Sequence, residues 1–207
     1  MEDVIQGSAD WHAARLGKVT ASKIADLMAK TRNGWGASRA NYMAQLITER
    51  LTGSPTDSFV NAAMAWGTEQ EPNARAAYSF MRDVDVVEVG FVDHPSIGMS
   101  GASPDGLVGD DGLVEIKCPN TATHLDTLLG GETPDKYIKQ MHWQMACTGR
   151  AWCDWVSYDP RLPGHLQIVI RRIERDDKLI TEIEEAVSAF LEEMDDKIAR
   201  LQHLEAA

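Results

Sequence analysis

Ser103-Pro104-Asp105-Gly106-Leu107-Val108-Gly109-Asp110-Asp111-Gly112-Leu113-Val114-Glu115-Ile116-Lys117 is the stretch whose reading decides the fold of this chain. Two short apolar runs flank Asp110-Asp111-Gly112, and Asp-Gly between such runs predicts a hairpin. Side chains alternate along a strand, so Glu115 and Lys117 share one face while Ile116 points the other way. The hairpin brings Asp105 across from Glu115, and two carboxylates with one ammonium meet at a point. Carboxylate oxygens are hard ligands suited to Mg²⁺ or Mn²⁺, and Mg²⁺ usually keeps waters and recruits phosphate oxygens. A lysine beside such an ion can orient or deprotonate a water and neutralise charge developing on phosphorus. Polar surface hairpins produce the same spacing, so the surroundings matter. Ser100-Gly101-Ala102-Ser103 is small enough for close approach of a ligand, and Leu113, Val114 and Ile116 cannot all face water. A half-buried Glu-Lys pair needs partners, which a metal and its substrate would supply.

Outward from the hairpin, hydrophobic periodicity predicts helices on both sides of a sheet. Asp10 is expected to cap a first turn over 11–16, and Thr20 a helix over 21–30 with Ile24, Leu27 and Met28 on one face. Helices are read at 38–51, closed by Gly53, and at 61–81, where Gly67 is an interruption to explain. The segment 84–92 alternates like a strand, with Val87, Val89 and Phe91 on one side, and 98–103 leads into the hairpin. Further helices are read at 121–129 and 134–147, strands at 151–158 and 165–173, and a long amphipathic helix at 176–201. Strands embedded among helices give an α/β or α+β class with a mixed, partly antiparallel sheet.

The 207 residues suit one domain with a sizeable core, 1–207. No run is long and apolar enough to span a membrane, and no amino-terminal segment resembles a secretory signal. Cys118, Cys147 and Cys153 are odd in number and unclustered, which predicts reduced core thiols in a cytoplasm rather than a disulfide or zinc framework. A net charge of −12 argues against a passive nucleic-acid-binding module. The charge is uneven, however. Residues 11–50 carry seven Lys or Arg against two acids, and residues 176–207 three against ten. A basic first quarter can meet phosphates while the acidic tail faces elsewhere.

With Pro104-Asp105 and Glu115-Ile116-Lys117 on consecutive strands, the chain resembles the PD-(D/E)XK nuclease superfamily. More narrowly, it resembles the family of the phage lambda exonuclease and viral recombinases. The likeness runs from about Trp11 to Leu201. It includes Arg15-Leu16-Gly17, Thr20-Ala21-Ser22, Ala65-Trp66-Gly67, Glu115-Ile116-Lys117-Cys118-Pro119, Gly130-Gly131, Tyr158-Asp159-Pro160-Arg161 and Ile173-Glu174-Arg175-Asp176. The resemblance implies a metal-dependent exonuclease of a bacteriophage or prophage, acting in the cytoplasm of the bacterial host. Such an enzyme digests the 5′-ended strand of duplex DNA and leaves a 3′ single strand for an annealing protein. It also implies a homotrimeric ring and Mg²⁺ as a pair of ions, with Mn²⁺ as a substitute.

Carried over residue by residue, the family's metal ligands fall on Asp105, Glu115 and the backbone carbonyl of Ile116, and its water-activating lysine on Lys117. Its supporting acid falls on Glu71, with Glu69 as a neighbouring competitor. Arg15, Ser22, Ser103 and Gln140 match residues that hold the 5′-terminal phosphate. A guanidinium fork, two hydroxyls and an amide suit such a dianion. Ser22 is expected in the first turn of a helix, where backbone amides also favour an anion. Arg32 matches a duplex-touching loop, altered here by Trp35 and Gly36, and Met64 an apolar wedge that parts the terminal base pair. Gln144 shares a helix face with Gln140, whereas His142 is read as structural or solvent-facing. A junction- or site-specific endonuclease on the same core, or a non-enzymatic DNA-binding protein, are the competing readings.

Overall fold

From the amino terminus, Ser8 rather than Asp10 caps the first helix. Its side chain accepts the Trp11 N–H, and α1 runs Ala9–Arg15. The computed structural model of the protein describes residues 5–32, 34–56 and 62–204, so Asn61 of the expected 61–81 helix and Asn33 of the basic loop lie outside the described residues. After α1 come β1 (Val19–Thr20), a 3-10 turn at Ala21–Lys23 and a single turn of α-helix, α2 (Ile24–Leu27). The helix expected over 21–30 is therefore cut short. Lys30–Thr31 (β2) pairs with Gly34–Trp35 (β3), and Gly36 donates its N–H to the Ala29 carbonyl at 2.8 Å, so strand pairing claims the residues that would have extended the helix.

α3 (Ala37–Thr52) ends at Gly53, whose φ of 66° is the left-handed conformation that favours glycine at a helix terminus. α4 (Ala62–Arg82) passes through Gly67 without a break and holds Pro72 in its interior. The segment read as one strand over 84–92 divides between two sheets. Its first part, β4 (Val86–Val87), pairs with the strand at Gly106–Val108, and its second, β5 (Val92–Asp93), pairs with β6 (Ser100–Ala102). Ser103-Pro104-Asp105 carries the chain from one sheet to the other, and the partner strand must break at the same level.

β7 (Gly106–Val108) and β8 (Gly112–Lys117) form the expected hairpin. The left-handed residue of its turn is Gly109, with φ 53°, whereas Gly112 is needed for space, because a Cβ there would lie 2.1 Å from the Trp152 ring. α5 (Thr121–Leu128) and α6 (Asp135–Thr148) cross over to β9 (Trp152–Tyr158), which lies parallel to β8. β10 (Ile168–Glu174) returns antiparallel, and α7 (Asp177–Leu204) closes the described chain. The five-stranded sheet has the order β10-β9-β8-β7-β4, beside a smaller β1-β6-β5 sheet.

β8 is buried from Gly112 to Ile116, as a strand covered on both faces must be. On one face, Leu113, Cys153 and Trp155 pack with Trp143 of α6, Leu46 of α3 and Phe190 of α7. On the other, Val114, Ile116 and Val156 pack under Ala74 and Tyr78 of α4. The acidic α7 does not simply face away from the basic first quarter. Glu193 pairs with Arg39 at 2.7 Å and Asp195 with Arg50 at 2.7 Å, so part of that positive charge is spent inside the fold.

Candidate active site

The register of the hairpin sets Gly106 opposite Val114, so Asp105, one residue before β7, stands across from Glu115. Asp105 Oδ2 accepts the Ile116 N–H at 2.6 Å, which ties the carboxylate to the strand beside it. Glu115 is fully buried. Its Oε1 accepts from Gln140 Nε2 at 2.7 Å and from Lys117 Nζ, and its Oε2 accepts from Gln144 Nε2 at 2.6 Å. Both glutamines come from α6, one turn apart. Lys117 keeps about a quarter of its side chain exposed and lies 5.1 Å from the Tyr137 ring centroid.

α4 brings a third carboxylate to the centre. Glu71 is half-buried while Glu69 is exposed, which separates the two helix acids. Arg75 holds Glu71 at 2.6 Å and donates to the Asp105 carbonyl at 3.3 Å. Burial raises the pKa of Asp105 well above the usual carboxylate range, and the neighbouring Glu115 charge adds to the rise. Burial, opposed by Arg75, also raises Glu71. For Lys117, burial works against the charge, but Glu115 and Asp105 outweigh it and raise the pKa above that of an ordinary lysine. Cys118 is pushed to about 12, first by burial and then by the Glu71 and Asp105 charges, so it is a neutral thiol and no nucleophile.

A divalent cation fits this donor set. Crowded carboxylates in a poorly solvated site repel one another, and a cation would relieve that repulsion. Among the described residues, no three His, Cys, Asp or Glu side chains converge as a complete cage. An open site with two carboxylates is what a hard cation needs when waters and substrate oxygens complete its shell.

Arg15, Ser22 and Met64 line a separate cleft of about 330 Å³, together with Trp11, Lys18, Lys23 and Tyr42. The Arg15 guanidinium lies 3.9 Å from the centroid of the Trp11 ring, and Trp11 Nε1 donates to Ser103 Oγ at 2.9 Å. Arg15 and Ser103 are thus linked through one indole. Gln140 is not in this cleft. It is on Glu115, although α6 packs against the turn that carries Ser22. That turn is a short 3-10 segment, so any pull on an anion rests on side chains rather than on the helix amino terminus expected there. Arg32 is exposed at the tip of the β2–β3 hairpin. Met64 is 52% exposed, as no core filler would be. His142 is buried and bonded to the Ile138 carbonyl at 2.7 Å, which makes it structural.

Three residues of the site escaped the sequence reading in whole or part. Gln144 could be found by its helix spacing from Gln140. Trp11 and Arg75 stand one helical turn from Arg15 and Glu71, a spacing that could have found them, but their bonds to Ser103 and to the Asp105 carbonyl gave no local signal.

A mixed sheet with helices on both faces and this acid-acid-lysine cluster at the end of its hairpin is the architecture of PD-(D/E)XK nucleases. Within that class, the chain belongs to the YqaJ-like viral recombinase family, whose sequence profile matches residues 10–151. An alkaline exonuclease (LHK-Exo) from Laribacter hongkongensis is 58% identical, with a TM-score of 0.90 over 96% of this chain and 98% of that one. The same exonuclease in complex with dAMP matches with a TM-score of 0.91, 58% identity and the same 96% and 98% coverage. A phage related exonuclease from Haemophilus somnus 129PT shares the fold, with a TM-score of 0.69 at 16% identity over 89% of this chain and 96% of that one. No curated protein sequence matches significantly. Among the described residues, no helix is long and apolar enough to cross a membrane.

Proposed function

We propose that residues 1–207 form one nuclease domain, a Mg²⁺-dependent exonuclease that digests the 5′-ended strand of linear duplex DNA and leaves a 3′ single strand for annealing. The observation that carries the reading is the cluster of Asp105, Glu115 and Lys117 at one end of the hairpin, fully buried at Glu115 and open at Lys117. Asp105, Glu115 and the Ile116 carbonyl would hold the cation, with Glu71 in support and Mn²⁺ as an alternative. The bound cation would supply charge neutralisation at phosphorus and an activated water. Lys117, held in its charged form, can donate hydrogen bonds to that water or to a phosphate oxygen and stabilise charge as it develops.

In this reading Arg15, Ser22 and Ser103 hold the 5′-terminal phosphate, Gln140 joins them from the edge of the centre, Arg32 touches the duplex and Met64 parts the terminal base pair. The fold family of the Laribacter exonuclease supports the activity, and its complex with dAMP supports a nucleoside monophosphate as product. The protein would work as a homotrimer with a single-strand annealing partner in the cytoplasm of a bacterial host, encoded by a phage or prophage.

One assay tests the reading. Linear duplex should be digested in Mg²⁺ and spared in EDTA, with 5′-phosphorylated ends consumed faster than 5′-hydroxyl ends. Closed circular plasmid should survive intact. Cutting of the closed circle would replace the exonuclease by an endonuclease, and no cleavage of any DNA in Mg²⁺ or Mn²⁺ would remove the enzymatic reading.

A further inference from the structure

Glu115 is bonded through both oxygens, but the two are not held alike. Oε1 is met by Gln140 and Lys117, neither of which is fully buried. Oε2 is met by Gln144 Nε2 at 2.6 Å, and Gln144 is fully buried. The other end of that amide is orphaned. Gln144 Oε1 is buried and accepts no hydrogen bond from the described residues. An unsatisfied carbonyl oxygen in a core is costly, and a methionine or leucine at this position would avoid that cost only by leaving the buried Oε2 of Glu115 without its donor. Position 144 therefore tolerates an orphaned oxygen while its amide donates to Glu115, the one acceptor of that amide among the described residues.

Asp105 shows the same division of labour. Its Oδ2 takes the Ile116 N–H at 2.6 Å, while Oδ1 accepts no hydrogen bond from the described residues. In each, one oxygen is held from the buried side, Oδ2 of Asp105 by a strand N–H and Oε2 of Glu115 by Gln144, while Oε1 of Glu115 is shared by the half-buried Gln140 and Lys117. A carboxylate held in this way keeps its rotamer and offers the remaining oxygen in a fixed direction. Residues that hold a ligand without touching the ion set its basicity and orientation.

We propose that Gln144 is a positioning residue for the cation site. By fixing Oε2 of Glu115 it presents Oε1 to the divalent cation. Gln140, although its bond has nearly the same length, bonds the oxygen that the cation would take and so competes with it. This inference rests on the metal-dependent reading above, and it assigns opposite parts to two glutamines one helical turn apart.

The test is Mn²⁺ binding by the full-length protein without DNA, measured by calorimetry, beside a thermal melt in EDTA. Gln144→Met keeps the length of the side chain and removes the donor. It should weaken Mn²⁺ binding about 10- to 100-fold, the range found when such supporting residues are changed. Gln140→Met should leave the affinity unchanged or raise it. Unaltered Mn²⁺ affinity in folded Gln144→Met, whatever its melting temperature, overturns the proposal, because a purely structural role would move only the melt. Equal weakening by both substitutions overturns it too. If Gln144→Met does not fold, Gln144→Asn decides, since it keeps a polar group but falls one methylene short of Glu115. Weakened binding there supports the inference and wild-type binding refutes it. A wild-type protein that binds no Mn²⁺ would instead remove the metal-dependent reading itself, and that result is distinct from either outcome at position 144.

Discussion

Lys117 is paired with Glu115 and kept charged by Glu115 and Asp105 together, so its contribution is best measured by removing the ammonium alone. Lys117→Ala should slow cleavage of linear duplex by about 10²- to 10⁴-fold, the usual worth of a positioned proton-transfer or charge-stabilising group. DNA affinity, read by fluorescence anisotropy, should hardly change. An equal fall in affinity would make Lys117 a phosphate anchor instead. Arg15 should act on a different quantity. A terminal phosphate carries more charge than an internal diester, and a charge-assisted fork is the strongest grip available in the cleft. Arg15→Ala should therefore slow 5′-phosphorylated ends strongly and 5′-hydroxyl ends much less, closing the gap between them. Arg15→Lys should restore part of the preference, since a point charge lacks the planar fork. Equal slowing of both substrates would remove Arg15 from the phosphate site.

At the scale of elements, the crossover after β8 is pinned by a buried acid whose ionisation can be followed. Asp159 accepts from Thr121 Oγ1 at 2.7 Å and from Arg161 Nε at 2.7 Å, which ties the start of α5 to the end of β9. Burial alone would raise its pKa, but the bonds from Arg161 and Thr121 bring it down to about 2. The folded value lies below the unfolded one, near 3.9, so the charged form is stabilised by folding. That stability is fully present above about pH 4 and is lost as the pH falls towards 2. Thr121→Val removes one charge-assisted bond and should cost about 1.5–3 kcal/mol at neutral pH. The difference from wild type, measured by urea unfolding at several pH values, should shrink steadily between pH 4 and 2. A difference that stays constant over that interval would show that Asp159 does not carry it. The split of 84–92 into β4 and β5 belongs to this scale as well. Alternation alone says strand, and only the break at Ser103-Pro104-Asp105 says that it serves two sheets.

For the whole molecule, the clustered acids make cation binding and stability one measurement. Asp105, Glu115 and Glu71 repel one another in the folded state and are far apart in the unfolded one. An ion bound to the native state alone stabilises it by about 2.7 kcal/mol at a hundred times its dissociation constant. For a chain of this size, each kcal/mol moves the melting temperature by about 2–4 °C. Mg²⁺ at that level should raise the midpoint by about 5–11 °C in scanning calorimetry. Asp105→Ala should abolish the rise and melt at or above the wild-type temperature in EDTA, because a repelling charge has gone. A full Mg²⁺ shift in Asp105→Ala would place the ion elsewhere.

The sequence by itself determined the hairpin, the placing of Asp105 across from Glu115, the helices α3, α6 and α7 to within a few residues, and the mixed sheet. Each follows from turn chemistry or periodicity that acts over a few residues, so neighbouring side chains suffice to read it. The family resemblance named Glu71 ahead of Glu69, but tertiary packing alone sets which face of that helix turns inward, and it leaves Glu71 half-buried and Glu69 exposed. It also decided that Gln140 and Gln144 share Glu115, that the indole of Trp11 joins Arg15 to Ser103, and that α7 takes Arg39 and Arg50 out of the basic surface. These contacts span tens to more than a hundred residues of chain. No local pattern encodes them, because they depend on the order in which elements stack and on which polar groups that stacking leaves without water.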